Sequence, residues 1–454
     1  MAGSLATTCI AFAAFHTFTH LASAQEYTNS DGLVFFTGSN GVSFGDPATP
    51  TGPYTEPTER VTITQTRRPD DVTFSRPSTS GTETEESRVT TSTEQDYTII
   101  TGRETSTRLS GNFSTTATST SAEPVNTQPC NNYVELCERR YSNITEVGCH
   151  NSPFVRQNNA ASNQHYEVTT QLHDGVRFLQ AQMHWIDGQD EPHFCHTSCD
   201  LLDAGPITDW LTEVKDWVEE HPFDVITILL GNGGYGDVAY APAEMYVPWI
   251  ESTGILQYVF QPPVRPMVLN DWPTLGNMIL KGQRVVMFMD YEADTERFPW
   301  LLDEFTQMWE TPFNPVDREF PCTVQRPPDM EDDKARDRLY LLNHNLNLNY
   351  PLFGSDVLVP AVVLLNETNA VEGYGSLGVS TQGCVEDWGR APNVLNVDFY
   401  DVGDGSVFEV AAQFNNVTYN RECCGRAPNG SARPTIPLRI EVVLLVALLI
   451  MIHG

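Results

Sequence analysis

Basic residues are scarce in this chain of 454 residues: 26 Lys and Arg stand against 59 Asp and Glu, a formal net charge of −33. So few cations cannot neutralise a run of phosphates, which excludes nucleic acid as a partner. They also give an anionic leaflet little to attract. Long heptad runs are absent, broken by 31 Gly and 30 Pro, so a coiled coil is excluded. No internal repeat is visible. Residues 51–125 contain no Cys, no Trp and a single Leu, Leu109, among 31 Ser and Thr. Such a stretch buries too little apolar surface to offset its chain entropy. With its scattered Pro it reads as a disordered, O-glycosylated stalk.

What is present begins with two terminal signals. Residues 1–24 carry an apolar segment closed by Ala22 and Ala24, small residues that fit signal-peptidase cleavage. Near the other end, 442–452 is unbroken apolar chain. As a helix it spans about 16 Å, too short for a bilayer core of about 30 Å. Small residues at Asn429, Gly430 and Ser431 lie upstream, then a polar spacer with Pro434 and Pro437. That order matches a GPI-attachment signal over 426–454. The expected organisation is therefore signal peptide (1–24), Ser/Thr-rich stalk (25–128), one folded domain (129–425) and anchor signal. The product would be secreted and held at the outer face of the plasma membrane or in the cell wall, as a monomer.

All eight Trp and nine of the ten Cys lie beyond residue 129. In a secreted chain these cysteines read as disulfides rather than metal ligands. Local pairing is expected for Cys130 with Cys137 and for Cys195 with Cys199, and a long-range brace for Cys322 with Cys384. Cys149, Cys423 and Cys424 are left open. Sequons at Asn112, Asn143, Asn366, Asn416 and Asn429 agree with secretion. Apolar runs at 176–185, 224–232, 284–290, 339–344, 357–366 and 392–400 read as buried strands. Between them 207–220 places Ile207, Trp210, Leu211, Val214, Trp217 and Val218 at helical spacing. Strand–helix alternation in a block of this size predicts the α/β class, and within it a (β/α)8 barrel.

Chemistry concentrates in three places. Gly148-Cys-His150-Asn151-Ser152 ends a short strand, and a His just past a barrel strand sits at the catalytic mouth. In Cys195-His196-Thr-Ser-Cys199 a second His sits inside a three-residue disulfide loop. Two positioned imidazoles can act as general base and general acid. Between them Gln180, Gln182 and His184 alternate with Leu179, Ala181 and Met183, so period two sends the polar trio into the lumen. The 392–401 segment repeats the device with Asn396, Asp398 and Tyr400. Asn232 ends the 224–232 strand. Asp290 and Asp398 form the one tempting carboxylate pair for a glycoside hydrolase, which needs two of them about 5–9.5 Å apart.

Taken together, Gly-x-His-Asn-Ser, the Gly175-Val-Arg strand and Cys-His-Thr-Ser-Cys-x-Leu-Leu-Asp-Ala-Gly resemble the fungal PLC-like phosphodiesterases. These are relatives of the phosphatidylinositol-specific phospholipase C X domain. The resemblance runs over about 130–425, including the 224–232 strand and Gly389-Arg-Ala-Pro392. It implies an irregular TIM barrel that cleaves a phosphodiester through a cyclic phosphate, with His150 as base and His196 as acid. A phosphoinositide or related glycosylated phosphodiester would be the substrate, touched by Asn151, Gln180, Gln182, His184, Asn232, Asp398 and Tyr400. Asn151 matches the calcium-dependent branch, yet that branch's carboxylates are replaced here by Gln180 and Gln182. Nor does an Arg stand at Gln182, where the metal-independent branch binds phosphate. The expectation is weak, metal-independent turnover with no cofactor. The alternative is an inactive barrel that binds a sugar phosphate or serves as an anchored surface protein.

Overall fold

Eight short parallel strands build the domain: β1 Glu146–Cys149, β2 Phe178–His184, β3 Ile226–Asn232, β4 Val285–Met289, β5 Leu301–Asp303, β6 Met308–Glu310, β7 Leu339–His344 and β8 Val394–Val397. The computed structural model describes residues 127–196, 198–233, 240–352 and 355–425, together with 25–28, 34–37, 57 and 59–63. The ladder runs β5-β4-β3-β2-β1-β8-β7-β6, every neighbour parallel. Chain order is therefore barrel order. Among the described residues no ladder joins β5 to β6; the four-residue helix Glu304–Gln307 links them instead. The fold is an irregular TIM barrel, open along that one seam.

The alternation of side chains explains both of its cores. Leu179, Ala181 and Met183 point outward and join the layer between sheet and helices. Into this layer α1 (Val168–Asp174) sends Val168 and Leu172, and α2 (Ile207–Glu220) sends all six of its predicted apolar residues. Burying each large one contributes roughly 1.5–3 kcal/mol. The opposite parity fills the barrel near the strand starts with Phe178, Leu229, Phe288, Leu341 and Val394. Past this plug the inward positions turn polar, at the strand ends where β/α barrels place their sites.

One predicted strand is corrected. The 357–366 run is no barrel strand: Ser355–Pro360 pairs antiparallel with Asn347–Leu352 in the β7–β8 connection, and short helices follow at Val362–Leu364 and Leu365–Thr368. A continuous apolar run carries no period to separate these outcomes. The segment read as a stalk also contains pairing, between Gln25–Thr28 and Val34–Thr37. Val61–Thr62 pairs with Val264–Arg265 of the domain, and Arg60 contacts Asp271. The signal peptide, the anchor signal with Asn429, Gly430 and Ser431, and the sequon at Asn112 lie outside the described residues. Asn143, Asn366 and Asn416 are exposed. The three expected disulfides form, Cys423 pairs with Cys424, and Cys149 is a buried thiol.

Candidate active site

His150 follows β1 at the parity of Gly148, so it faces the lumen. The backbone then turns sharply, with Asn151 in the left-handed region (φ 50°) that Asn tolerates. The Gln164 amide donates to the His150 carbonyl (2.8 Å) and to that of Val397 (3.0 Å), fixing the end of β1 against β8. On the ring, Nδ1 lies 2.8 Å from Asp398 Oδ1. Asn163 donates to the same carboxylate oxygen (2.9 Å), and Asn151 donates to Asn163 (3.2 Å). Asp398 is engaged by His150 and Asn163, and Asn151 supports Asn163 from behind.

His196 comes from a hairpin added to the barrel. Strand His193–Cys195 pairs antiparallel with the end of β2 and with Asp203–Pro206. The Cys195–Cys199 disulfide closes the loop, and the His196 amide donates to Leu202 (2.9 Å). Its Nδ1 is 2.5 Å from the Ala161 carbonyl, which can only accept, so Nδ1 carries a proton and Nε2 is the free nitrogen. The ring stacks on Phe154, with centroids 5.0 Å apart. Part of its surface reaches solvent, but it is crowded on all sides, and desolvation lowers its pKa to about 4, reinforced by the charge of His150. The two imidazoles therefore sense each other. His196 is thus no ordinary imidazole of pKa near 6.5. His184, at the end of β2, is likewise lowered to about 4 by burial.

Below the histidines a belt of amides crosses the lumen. Asn396 Nδ2 donates to Gln180 Oε1 (2.9 Å) and approaches Asn343 Oδ1 at 3.3 Å. Asn343 in turn donates to Glu310 (3.1 Å). β1 lies between β8 and β2, so Asn396 must reach across it, and Gly148 is what it crosses. A Cβ there would meet Val394 at 2.9 Å, Phe178 at 3.0 Å and the Asn396 oxygen at 3.3 Å. The glycine of the Gly-x-His motif thus keeps the belt passable. Gln180 spends its oxygen in the belt. Gln182 shares its inward parity.

Two proposed substrate contacts are corrected. Asn232 faces outward, where its Nδ2 donates to Ala241 (2.7 Å) and Tyr291 (2.9 Å) while Oδ1 accepts from Tyr246 (3.1 Å); it pins the loop after β3. Tyr400 lies outside the lumen and donates to Asp174 (2.6 Å). The reason is local: Phe399 has φ 45°, which breaks the alternation established along β8. The carboxylate-pair reading also falls. Asp290 accepts from the backbone of Asn232 (2.7 Å) and Tyr291 (2.8 Å), whereas Asp398 serves His150. Burial raises the Asp290 pKa to about 7.

Sequence reasoning missed Arg326. It is buried at the seam, 3.1 Å from Glu310 and 3.6 Å from Asp290, and donates to Tyr291 (3.0 Å). It stands in a loop, where periodicity has nothing to say. Among the described residues no group of three or more His, Cys, Asp or Glu is placed to hold a metal ion, and neutral amides replace the carboxylates that a hard cation needs.

The family model described as PI-PLC X 1 matches residues 136–415, which span the whole barrel. The chain belongs to the PI-PLC X family. Two Arthroderma benhamiae proteins are similar to it. An "Uncharacterized secreted protein" is 49% identical over 358 residues, 77% of this chain and 79% of that one. A "PI-PLC X domain-containing protein 1" is 42% identical over 276 residues, 61% and 86% of the two chains. Among solved structures, phosphatidylinositol-specific phospholipase C from Listeria monocytogenes aligns with a TM-score of 0.42 at 12% identity, covering 62% of this chain and 96% of that one. Within this PI-PLC X barrel the His150–Asp398 pair and His196 lie inside the matched residues.

Proposed function

We propose that this PI-PLC X protein is a secreted, GPI-anchored phosphodiesterase that cleaves a phosphoinositide or a related glycosylated phosphodiester. The observation that carries the reading is His150 held by Asp398, with the free nitrogen of His196 in electrostatic reach. His150 Nε2 takes the proton of a substrate hydroxyl, and the resulting oxygen attacks phosphorus to close a cyclic phosphate. His196, protonated, gives its proton to the departing alkoxide. Water then opens the ring with the roles reversed. Turnover is metal-independent and slow. No unpaired cation stands among the described lumen residues to offset charge on the phosphoryl oxygens, and that contribution is usually the largest catalytic one. The secreted Arthroderma relative and the exposed sequons support an extracellular location; the protein acts as a monomer.

A second reading, a barrel that binds sugar phosphates without turnover, is favoured by the low pKa of His196. The deciding experiment measures release of water-soluble product from radiolabelled phosphatidylinositol by wild type, H150A and H196A. Turnover that falls roughly 10²–10⁴-fold in each variant, and persists in EDTA, supports the proposal. A calcium-restored loss in EDTA or full activity in H196A overturns it.

A further inference from the structure

Asn345 lies two residues past Asn343, at the end of β7 and with the same inward parity. It is 1% exposed. Its surroundings fix it on both sides: Asn347 donates to its carbonyl (2.9 Å), and the preceding His344 is stacked on Phe320 and bonded to Ser380 (3.1 Å). Its Nδ2 stands 3.5 Å from His150 Nε2. An ionised Asp398 can only accept, so His150 Nδ1 carries the proton and Nε2 presents its lone pair to Asn345. At that separation the bond is at the limit of its range, and a hydroxyl can displace it. The other end of the amide, Oδ1, is buried and has no partner among the described residues. A buried acceptor left unpaired costs about 1–3 kcal/mol, so such atoms are few and call for a reason.

We propose that Asn345 is a substrate-positioning residue whose Oδ1 accepts a hydrogen bond from a hydroxyl adjacent to the one that His150 deprotonates. The site then selects phosphodiesters of polyols with neighbouring hydroxyls over those of simple diols. This rests on the phosphodiesterase reading and assigns one residue that positions its polyol. The oxygen and nitrogen of one amide are spaced much as two neighbouring hydroxyls are. A polyol entering the site replaces the long amide contact at Nε2 with its own hydroxyl and offers the next one to Oδ1.

The test uses the full secreted chain, with myo-inositol as the probe and His150 ring nitrogens read by NMR, beside turnover of phosphatidylinositol. In wild type myo-inositol shifts the His150 Nε2 signal. N345A weakens that binding and raises KM roughly 5–10-fold, the worth of one hydrogen bond, while the His150 tautomer stays unchanged. N345D sets a carboxylate beside Nε2, where the charged groups already facing His150 are Asp398 from β8 and His196 from the disulfide loop. It raises the His150 pKa, a response that mere damage to the fold would not produce. Wild-type affinity in N345A, with wild-type turnover intact, overturns this inference alone. Absence of both turnover and a myo-inositol response in wild type overturns the phosphodiesterase reading and this inference with it.

Discussion

His150 Nδ1 and Asp398 Oδ1 are 2.8 Å apart, and both side chains are shut away from solvent. The pairing follows from topology. β1 and β8 are adjacent and in register, Asn396 opposite Gly148, so the inward residues just past the two strand ends must meet. Since the carboxylate selects the tautomer, D398N is informative. Its amide can donate to Nδ1 and push the proton to Nε2, leaving the base without a lone pair for the substrate. We expect kcat for phosphatidylinositol to drop roughly 10²–10⁴-fold with KM little changed. Equal loss of melting temperature and activity would instead assign Asp398 to the fold.

Gly148 gives a prediction about packing. G148A puts a methyl group against Val394, Phe178 and Asn396 in a filled lumen. Overpacking of this kind costs about 1–3 kcal/mol, read as a lower denaturant midpoint. G383A is the control. Gly383 lies inside the helix Leu377–Trp388, where a Cβ meets nothing within 4 Å, so that variant should gain about 0.5–1 kcal/mol.

How much of this was legible before folding depends on the kind of signal. The strand Leu339–His344 keeps the bounds of its apolar run, and the helix Ile207–Glu220 occupies its predicted bounds because period is read from many residues at once. The lumen side of Gln180, Gln182 and His184 was legible for the same reason. Tyr400 was not, because one positive φ at Phe399 ends the alternation on which it depended. β5 and β6 have three residues each, too few to show a period. Arg326 and Asn345 lie outside the strands, and only the fold brings one to the seam and the other to His150.

Glu146 opens a test of stability against pH. It sits at the start of β1, facing inward, accepts from Asn131 (3.0 Å), and burial raises its pKa to about 8. In the unfolded chain it ionises near 4.3. The folded protein thus holds this proton more tightly, so its contribution is complete below about pH 4.3 and is lost as pH climbs toward 8. E146Q keeps the shape and the Asn131 bond but cannot ionise. The difference in unfolding free energy between variant and wild type should move in favour of the variant from pH 5 to 8, by up to about 1.4 kcal/mol per unit. Parallel curves across that range would refute the assignment.

The pH–rate profile tests the acid. In the proposed mechanism proton transfer needs His150 neutral and His196 charged, yet burial lowers the His196 pKa to about 4. At neutral pH that combination is a minority form, which caps the rate without abolishing it. The limbs of the profile then belong to the pair. kcat/KM, which reports the free protein, should rise to an edge near 4, where His196 titrates, and stay level until the second group intervenes. Two ordinary imidazoles would instead give a narrow bell around 6.5. A bound phosphodiester anion beside His196 favours its charged form, so the profile of kcat should differ from that of kcat/KM. H196A removes the acid and should erase the edge near 4 from whatever activity remains. A wild-type acid edge at about 6.5, or an edge near 4 that survives in H196A, would take the acid role away from His196.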